Sequence, residues 1–301
     1  MSQLVPNGPG PPCVERPPLR IRLASGTVLD TGPRALVMGV LNVTPDSFSE
    51  QGVHFRPDAA VEHARRMVAD GADIIDVGGE STRPGSEPVP AEEEKRRVLP
   101  VIEELARETE VPISVDTQKA EVAAAALDAG AQIINDVSAL RSDPAMAHLA
   151  AGRGAPVCLM HMQGTPGTMQ LNPTYEEVVR DVISWLKERV AFALASGIRQ
   201  DSIIVDPGFG FGKTPQQNLE LLRRLHEFHV LGCPVLIGTS RKSTLGVILN
   251  AGPRERLYGT LATVVWAVMA GCHIVRVHEV KAAKDAVMVC EAIRQGIRWR
   301  A

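Results

Sequence analysis

No two cysteines in this chain are spaced as CxxC, and the five present (Cys13, Cys158, Cys233, Cys272 and Cys290) make an odd number. That argues against a disulfide framework or a zinc site. Four of them fall in or beside apolar runs, so the expected state is free, buried thiols in a reducing compartment. An excess of charge of one sign is also missing. The formal net charge is −3 over 301 residues, which marks the chain neither for nucleic acid nor for an anionic membrane. Residues 1–19 hold Pro6, Pro9, Pro11, Pro12, Pro17 and Pro18 but no apolar stretch. That is not the pattern of a secretory signal, and no later run is long enough to span a membrane. The expected location is therefore the cytoplasm, and residues 1–18 read as a disordered or loosely docked proline-rich arm.

What the chain does contain is one pattern, repeated. A short run rich in Val and Ile ends in polar residues, and a helix-periodic segment rich in Ala or Leu follows. The runs are 35–41, 73–77, 112–115, 132–134, 156–160, 202–205, 234–237 and 273–277. Helical segments are expected over 59–69, 91–108, 119–129, 175–195, 215–228, 258–270 and 284–298, with the shortest crossover around 144–151. Asp70-Gly71, Ala129-Gly130 and Ser196-Gly197 place glycine where helices stop. Near-continuous apolar strands are those of a parallel sheet covered on both faces. Eight such units favour a closed barrel over a doubly wound open sheet. The expectation is an α/β fold, a (β/α)8 TIM barrel forming a single domain over 19–301. Residues 19–29 would form an N-terminal hairpin plugging the bottom, with a turn at Thr31-Gly32.

In such barrels chemistry gathers at the C-terminal ends of the strands. The runs end in Asn42, Asp76, Asp116, Asn135-Asp136, His161, Asp206, Thr239-Ser240-Arg241-Lys242-Ser243, and Arg276 with His278. One strand-end Asp is readily explained as a helix cap, but eight polar ends at once describe a pocket. Asp116, Asn135 and Asp206 suit the donors and acceptors on the edge of a flat heterocycle. Asn42, Arg83, Arg276 and His278 form an opposite pole suited to a phosphate or pyrophosphate. A metal there would follow the Mg2+ style, with Asn42, Asp46 and the substrate's phosphates as ligands. Ser240 to Ser243 precede a short helix over 244–250, whose N-terminus suits a carboxylate. The glycine-rich stretch 206–214 is not a P-loop, because Pro207 stands where that motif needs glycine. Its glycines would let the backbone bend around an aromatic substrate, with Phe209 or Phe211 as a stacking face and the other as an anchor.

These residues, in this order, resemble the dihydropteroate synthase family. The match runs through residues 38–49, 76–85 and 114–117, then 134–138, 160–166 and 206–213, and finally 240–243 and 276–278. The resemblance implies an enzyme of folate biosynthesis, a transferase joining a pterin pyrophosphate to p-aminobenzoate. It assigns the pterin to Asp116, Asn135, Asp206 and Lys242, with Met160 packing on the ring. It assigns the pyrophosphate and Mg2+ to Asn42, Arg276 and His278, and the p-aminobenzoate subsite to Thr82, Arg83, Phe211 and Ser243. Asp116, Asp206, Lys242, Arg276 and His278 would carry the catalysis. Loops 44–55 and 80–90 would close over the site, and the family is typically a homodimer. Two places depart from the family pattern: Glu50-Gln51-Gly52 stands where Asp-Gly-Gly is usual, and His278-Glu279-Val280 where His-Asp-Val is usual. A non-catalytic pterin-binding paralogue or a pterin-dependent methyltransferase domain would share the pocket. The methyltransferase would need neither the Ser240–Ser243 turn nor the Arg276/His278 pole.

Overall fold

The computed structural model describes residues 13–44, 57–81, 86 and 88–296. An antiparallel hairpin comes first, β1 (Arg20–Arg22) with β2 (Val28–Asp30). Eight further strands follow: β3 (Leu36–Asn42), β4 (Ile74–Gly78), β5 (Ile113–Asp116), β6 (Ile133–Asp136), β7 (Val157–Met160), β8 (Ile203–Asp206), β9 (Leu236–Ile237) and β10 (Ile274–Val277). They form one sheet in the order β8-β7-β6-β5-β4-β3-β10-β9, every pairing parallel. A parallel bridge between Val205 and Val235 joins its two ends, where the Val205 N–H donates to the Pro234 carbonyl at 2.9 Å. The helices between strands are α1 (Pro57–Ala69), α2 (Ala91–Glu108), α3 (Ala120–Asp128), α4 (Met146–Arg153) and α5 (Val178–Ala195), followed by α6 (Pro215–Arg223), α7 (Ser243–Leu249), α8 (Leu257–Met269) and α9 (Val280–Gln295). The expected single (β/α)8 barrel is the fold observed.

Every expected apolar run became a strand, and several strands extend one residue further to take in the polar residue that ended the run. Asn42, Asp116 and Asp206 lie inside their strands. The parallel ladder uses backbone groups only, so it continues past a polar side chain that points into the barrel mouth.

Alternation along the strands sorts the interior into layers. Ile21 and Leu23 of the hairpin region pack with Leu36, Met38, Ile74, Ile133, Cys158, Ile204, Leu236 and Ile274 as one buried cluster. The hairpin therefore plugs the barrel bottom, as expected. Two residues further along each strand, in the same phase, stand Asp76, Asn135, Met160, Asp206 and Arg276, joined by Asp116 two residues after Ser114. The intervening residues, such as Val37, Ile75, Val115, Ile134 and Val205, face the helices in the larger cluster.

Four details differ from expectation. The hairpin reverses at Ser25-Gly26, where Gly26 has φ +86° and the Leu23 N–H donates to the Thr27 carbonyl at 2.8 Å. Thr31 and Gly32 instead form the link to β3, with the Gly32 N–H donating to Asp30 Oδ1 at 2.9 Å. The segment expected as one helix over 215–228 divides into α6 and a 3-10 stretch, Leu225–Leu231, that ends at left-handed Gly232. The fifth helix starts at Val178, because the Glu177 carboxylate accepts from the N–H groups of Val179 and Arg180. The last helix starts at Val280, four residues early.

The arm is docked from residue 13 onward, one of the two states expected for it. Arg16 is buried against Glu291 and donates through Nε to the Cys272 carbonyl at 2.6 Å. The Val14 N–H donates to the Met269 carbonyl at 3.0 Å, and the Pro17 carbonyl lies 3.1 Å from His273 Nε2. All five cysteines are free, and all but Cys13 are buried.

Candidate active site

Arg276 occupies the centre of the polar layer. Its Nε donates to Asp76 Oδ2 at 2.6 Å and its Nη2 to Asp116 Oδ2 at 2.7 Å. Asn135 Nδ2 donates to the same Asp76 oxygen at 3.0 Å. Burial pushes the Asp116 carboxyl upward, Arg276 opposes it, and the neighbouring Asp76 carboxylate adds to the push. Asp206, equally enclosed on β8, is pushed up to about 6 by burial, against the Gly208 N–H and the charges of Lys242, Arg276 and Lys213. Desolvation outweighs the cations at both acids because each is cut off from water.

This corrects the picture of two opposed poles. Arg276 is braced by the heterocycle-facing carboxylates, so the anion-binding and heterocycle-binding groups share one network. It also gives a role to Asp76, a polar strand end to which the sequence assigned none. Asp76 is fully buried with its Oδ1 unpaired, and it holds both Arg276 and Asn135. Its two-residue spacing from Ile74 was the available signal, the same spacing that separates Ile133 from Asn135.

One wall is apolar. Met160, Met162, Met169, Val137 and Phe211 form a separate cluster at the mouth. Lys242 Nζ lies 3.9 Å from the centre of the Phe211 ring, a cation–π contact. Phe209 is buried in the main core. Of the two loop phenylalanines, Phe209 is thus the anchor and Phe211 the wall.

The glycine-rich loop bends where another stretch of the chain passes close. A Cβ on Gly208 would overlap the His161 carbonyl oxygen, and one on Gly212 would come within 2.8 Å of the Gln163 carbonyl oxygen. The loop thus folds onto the chain leaving β7. Lys213 is turned inward and tethers it. Its Nζ donates to the Gly208 and Phe211 carbonyls, both at 2.9 Å, and lies 2.9 Å from His161 Nδ1. Burial brings the Lys213 ammonium down to about 7 and holds His161 well below its ordinary value. His161, packed edge-on to Trp185, therefore belongs to the loop's scaffold rather than to the pocket. Asp136 likewise faces away from the pocket and accepts from the N–H groups of Ser138 and Leu140 at 2.8 and 2.7 Å.

On the far side, His278 Nδ1 lies 2.9 Å from Ser240 Oγ. Asn42 ends β3, whose register pairs Met38 with Arg276, so β3 and β10 are the neighbours that the closed barrel requires. Ser243 opens α7. Thr82 and Arg83, and Asp46, Glu50 and Gln51 of the first loop, lie outside the described residues.

The pattern of the pterin binding enzyme family matches residues 38–278. The chain is 52% identical over 269 residues to the dihydropteroate synthase of Escherichia coli, a match covering 89% of this chain and 95% of that protein. It is 45% identical to the Synechocystis dihydropteroate synthase, covering 94% and 96% respectively. Among solved structures, the Yersinia pestis dihydropteroate synthase in complex with a sulfonamide drug superposes with a TM-score of 0.87 at 45% identity, covering 92% of this chain and all of that one. The Xanthomonas albilineans enzyme in complex with 7,8-dihydropteroate gives a TM-score of 0.83 at 42% identity, covering 93% and 100%. A barrel whose polar interior layer meets these relatives over nearly their whole length places the chain in the pterin-binding enzyme family, among its dihydropteroate synthases.

Proposed function

We propose that the chain condenses a hydroxymethyl-dihydropterin pyrophosphate with p-aminobenzoate, giving dihydropteroate and pyrophosphate for folate biosynthesis. The observation that carries this reading is the polar layer itself: Asp116, Asn135 and Asp206 end three strands of one barrel, each buried, with Met160 and Phe211 in an apolar cluster of their own. Buried carboxylates and an amide match the N–H-rich edge of a pterin, and the flat wall takes its face. Lys242, beside Phe211, supplies a donor at the same edge. Arg276, His278 and Asn42 stand on adjoining strands and loops, where the pyrophosphate would leave.

In the reaction the bond from the methylene carbon to the pyrophosphate oxygen breaks first. Positive charge left on that carbon spreads into the electron-rich pterin, whose ring Asp116 and Asp206 hold by its N–H groups. The arylamine nitrogen then forms the new C–N bond and gives up its proton to water. Orientation and fixed charges supply the rate, so the site requires no strong nucleophile. Thr82, Arg83, Phe211 and Ser243 would hold the arylamine. For Mg2+ the fit is to a hard oxygen donor: the Asn42 amide would supply one ligand and the substrate's phosphates the others. A bound Mg2+ would neutralise charge on the departing pyrophosphate.

Two coarser properties fit the same reading. No described helix is long and apolar enough to cross a membrane, and a cytoplasmic location suits a biosynthetic enzyme with free thiols. A homodimer is supported by two neighbouring helices, α8 and α9. Tyr258 and Val265 on α8, and Met288, Val289 and Ile293 on α9, are apolar and exposed. Their spacing places most of them on continuous stripes.

Incubation of the purified protein with the pterin pyrophosphate, p-aminobenzoate and Mg2+ tests the proposal. Dihydropteroate and released pyrophosphate should appear together. Pterin binding without product would leave a non-catalytic binding protein.

A further inference from the structure

Arg241 stands between Ser240 and Lys242 with φ +59°, a left-handed conformation that residues bearing a Cβ avoid. Contacts from three residues hold it there. Its N–H donates to Thr260 Oγ1 of α8 at 3.2 Å, and its carbonyl accepts from Arg256 Nη1 at 2.9 Å. Its guanidinium donates to Glu279 Oε1, through Nε at 2.7 Å and also through Nη2. Glu279 belongs to the other loop of the anion pole, directly after His278. Its Oε2 lies 3.5 Å from Ser240 Oγ, the same hydroxyl that meets His278 Nδ1 at 2.9 Å.

The left-handed turn has a geometric consequence. It sends the two neighbours of Arg241 in different directions, Ser240 to His278 and Lys242 to the Phe211 ring. Both sides of the pocket therefore depend on one strained residue. Backbone strain at a site persists only where the surroundings over-determine it, and here two ties span the two loops, the Ser240–His278 contact and the charged one from Arg241 to the carboxylate of Glu279. This is also the position where glutamate stands in place of the aspartate usual in the family it resembles.

We infer that the Arg241–Glu279 pair is a clamp joining the β9–α7 and β10–α9 loops, and that Glu279 is a positioning residue for the pterin pyrophosphate. It fixes the separation between His278 at the anion and Lys242 at the heterocycle, so one rigid substrate spans both. The inference rests on the synthase reading. Both partners keep about a third of their side chains exposed, 39% for Arg241 and 28% for Glu279. A pair this exposed contributes little to stability, so its effect belongs in substrate binding rather than in folding.

The test compares the wild-type enzyme with Glu279→Gln, Glu279→Asp, Arg241→Gly and the Glu279→Gln/Arg241→Gly double variant. The readouts are kcat and KM for the pterin pyrophosphate and the thermal midpoint. An inactive wild type would overturn the synthase reading itself, so the clamp is judged on an active one. Glu279→Gln should raise KM for the pterin pyrophosphate about tenfold while changing kcat less than about twofold, with the midpoint unmoved. Glu279→Asp, which keeps the charge, should recover part of that loss. Arg241→Gly relieves the backbone strain yet should lose as much as Glu279→Gln, and the double variant should be no worse than either single one. A wild-type KM in Glu279→Gln, losses that add in the double variant, or losses that follow the thermal midpoint would each overturn the clamp.

Discussion

Asp206 shows how a single enclosed carboxyl links binding to pH. In the folded chain its proton is held up to about pH 6, whereas its ordinary value is 3.8. Between those values the folded state binds more protons than the unfolded one, so this group's contribution to stability falls as pH rises through the window. Only the ionised form accepts two pterin N–H groups. For the wild type, kcat/KM for the pterin pyrophosphate should therefore decline as pH drops through about 6, a limb shared with Asp116. Asp206→Asn should lower kcat/KM at neutral pH. It should also flatten the fall in thermal midpoint between pH 4 and 6, because it removes the group that titrates there. A wild-type kcat/KM that stays level from pH 5 to 8 would contradict the assignment. At this scale the sequence showed which residues were polar, and alternation showed which of them faced inward. That Arg276 would be braced by Asp76 and Asp116 was not legible, because the three lie on β10, β4 and β5 and meet only across the closed barrel.

Among the elements, the glycine-rich loop after β8 depends most on its neighbours. Gly208 has φ +70° and its missing Cβ leaves room for the His161 carbonyl. Gly208→Ala combines a left-handed penalty of roughly 1–2 kcal/mol with a backbone overlap that no rotamer relieves. The loop should lift off β7, pulling Phe211 and the Asp206–Gly208 hydrogen bond out of place. Calorimetric titration with a dihydropterin should then show at least a tenfold loss of affinity, with far-UV circular dichroism unchanged. Wild-type affinity in that variant would mean that the loop is more pliant than its packing implies. The sequence pointed to a sharp bend here and to one anchoring phenylalanine. It did not indicate what the bend packs against, since His161 and Gln163 lie more than forty residues away along the chain.

Across the whole molecule, two faces outside the mouth carry consequences. At the bottom, Arg16 and Glu291 form a buried pair, and Glu291 also accepts from the Ala35 N–H at 3.0 Å. Arg16→Met would remove the nearer of two cationic partners, leaving Glu291 with Arg294 at 3.6 Å and the Ala35 N–H. It should cost about 1–3 kcal/mol, measured by urea unfolding, and a loss below about 0.5 kcal/mol would show that the docked arm is dispensable. On the side, the apolar stripes of α8 and α9 predict a dimer. Size exclusion with light scattering should give twice the chain mass, and Tyr258→Glu with Val289→Glu should yield monomers. A wild type that is monomeric at micromolar concentration would remove the dimer from the proposal.

By itself the sequence determined the eight apolar runs, the helices between them, the glycine stops and the polar residue at each strand end. All of these follow from short-range periodicity and backbone geometry, which operate within a few residues. The tertiary structure decided which polar ends share a hydrogen-bond network, which phenylalanine faces the pocket, and why Lys213 and His161 serve the loop rather than the ligand. Those outcomes depend on the ring closing, on burial shifting charges, and on carbonyls from distant segments arriving beside glycines. None of that can be read along a line of residues, because free energies of this kind belong to pairs brought together only by the finished barrel.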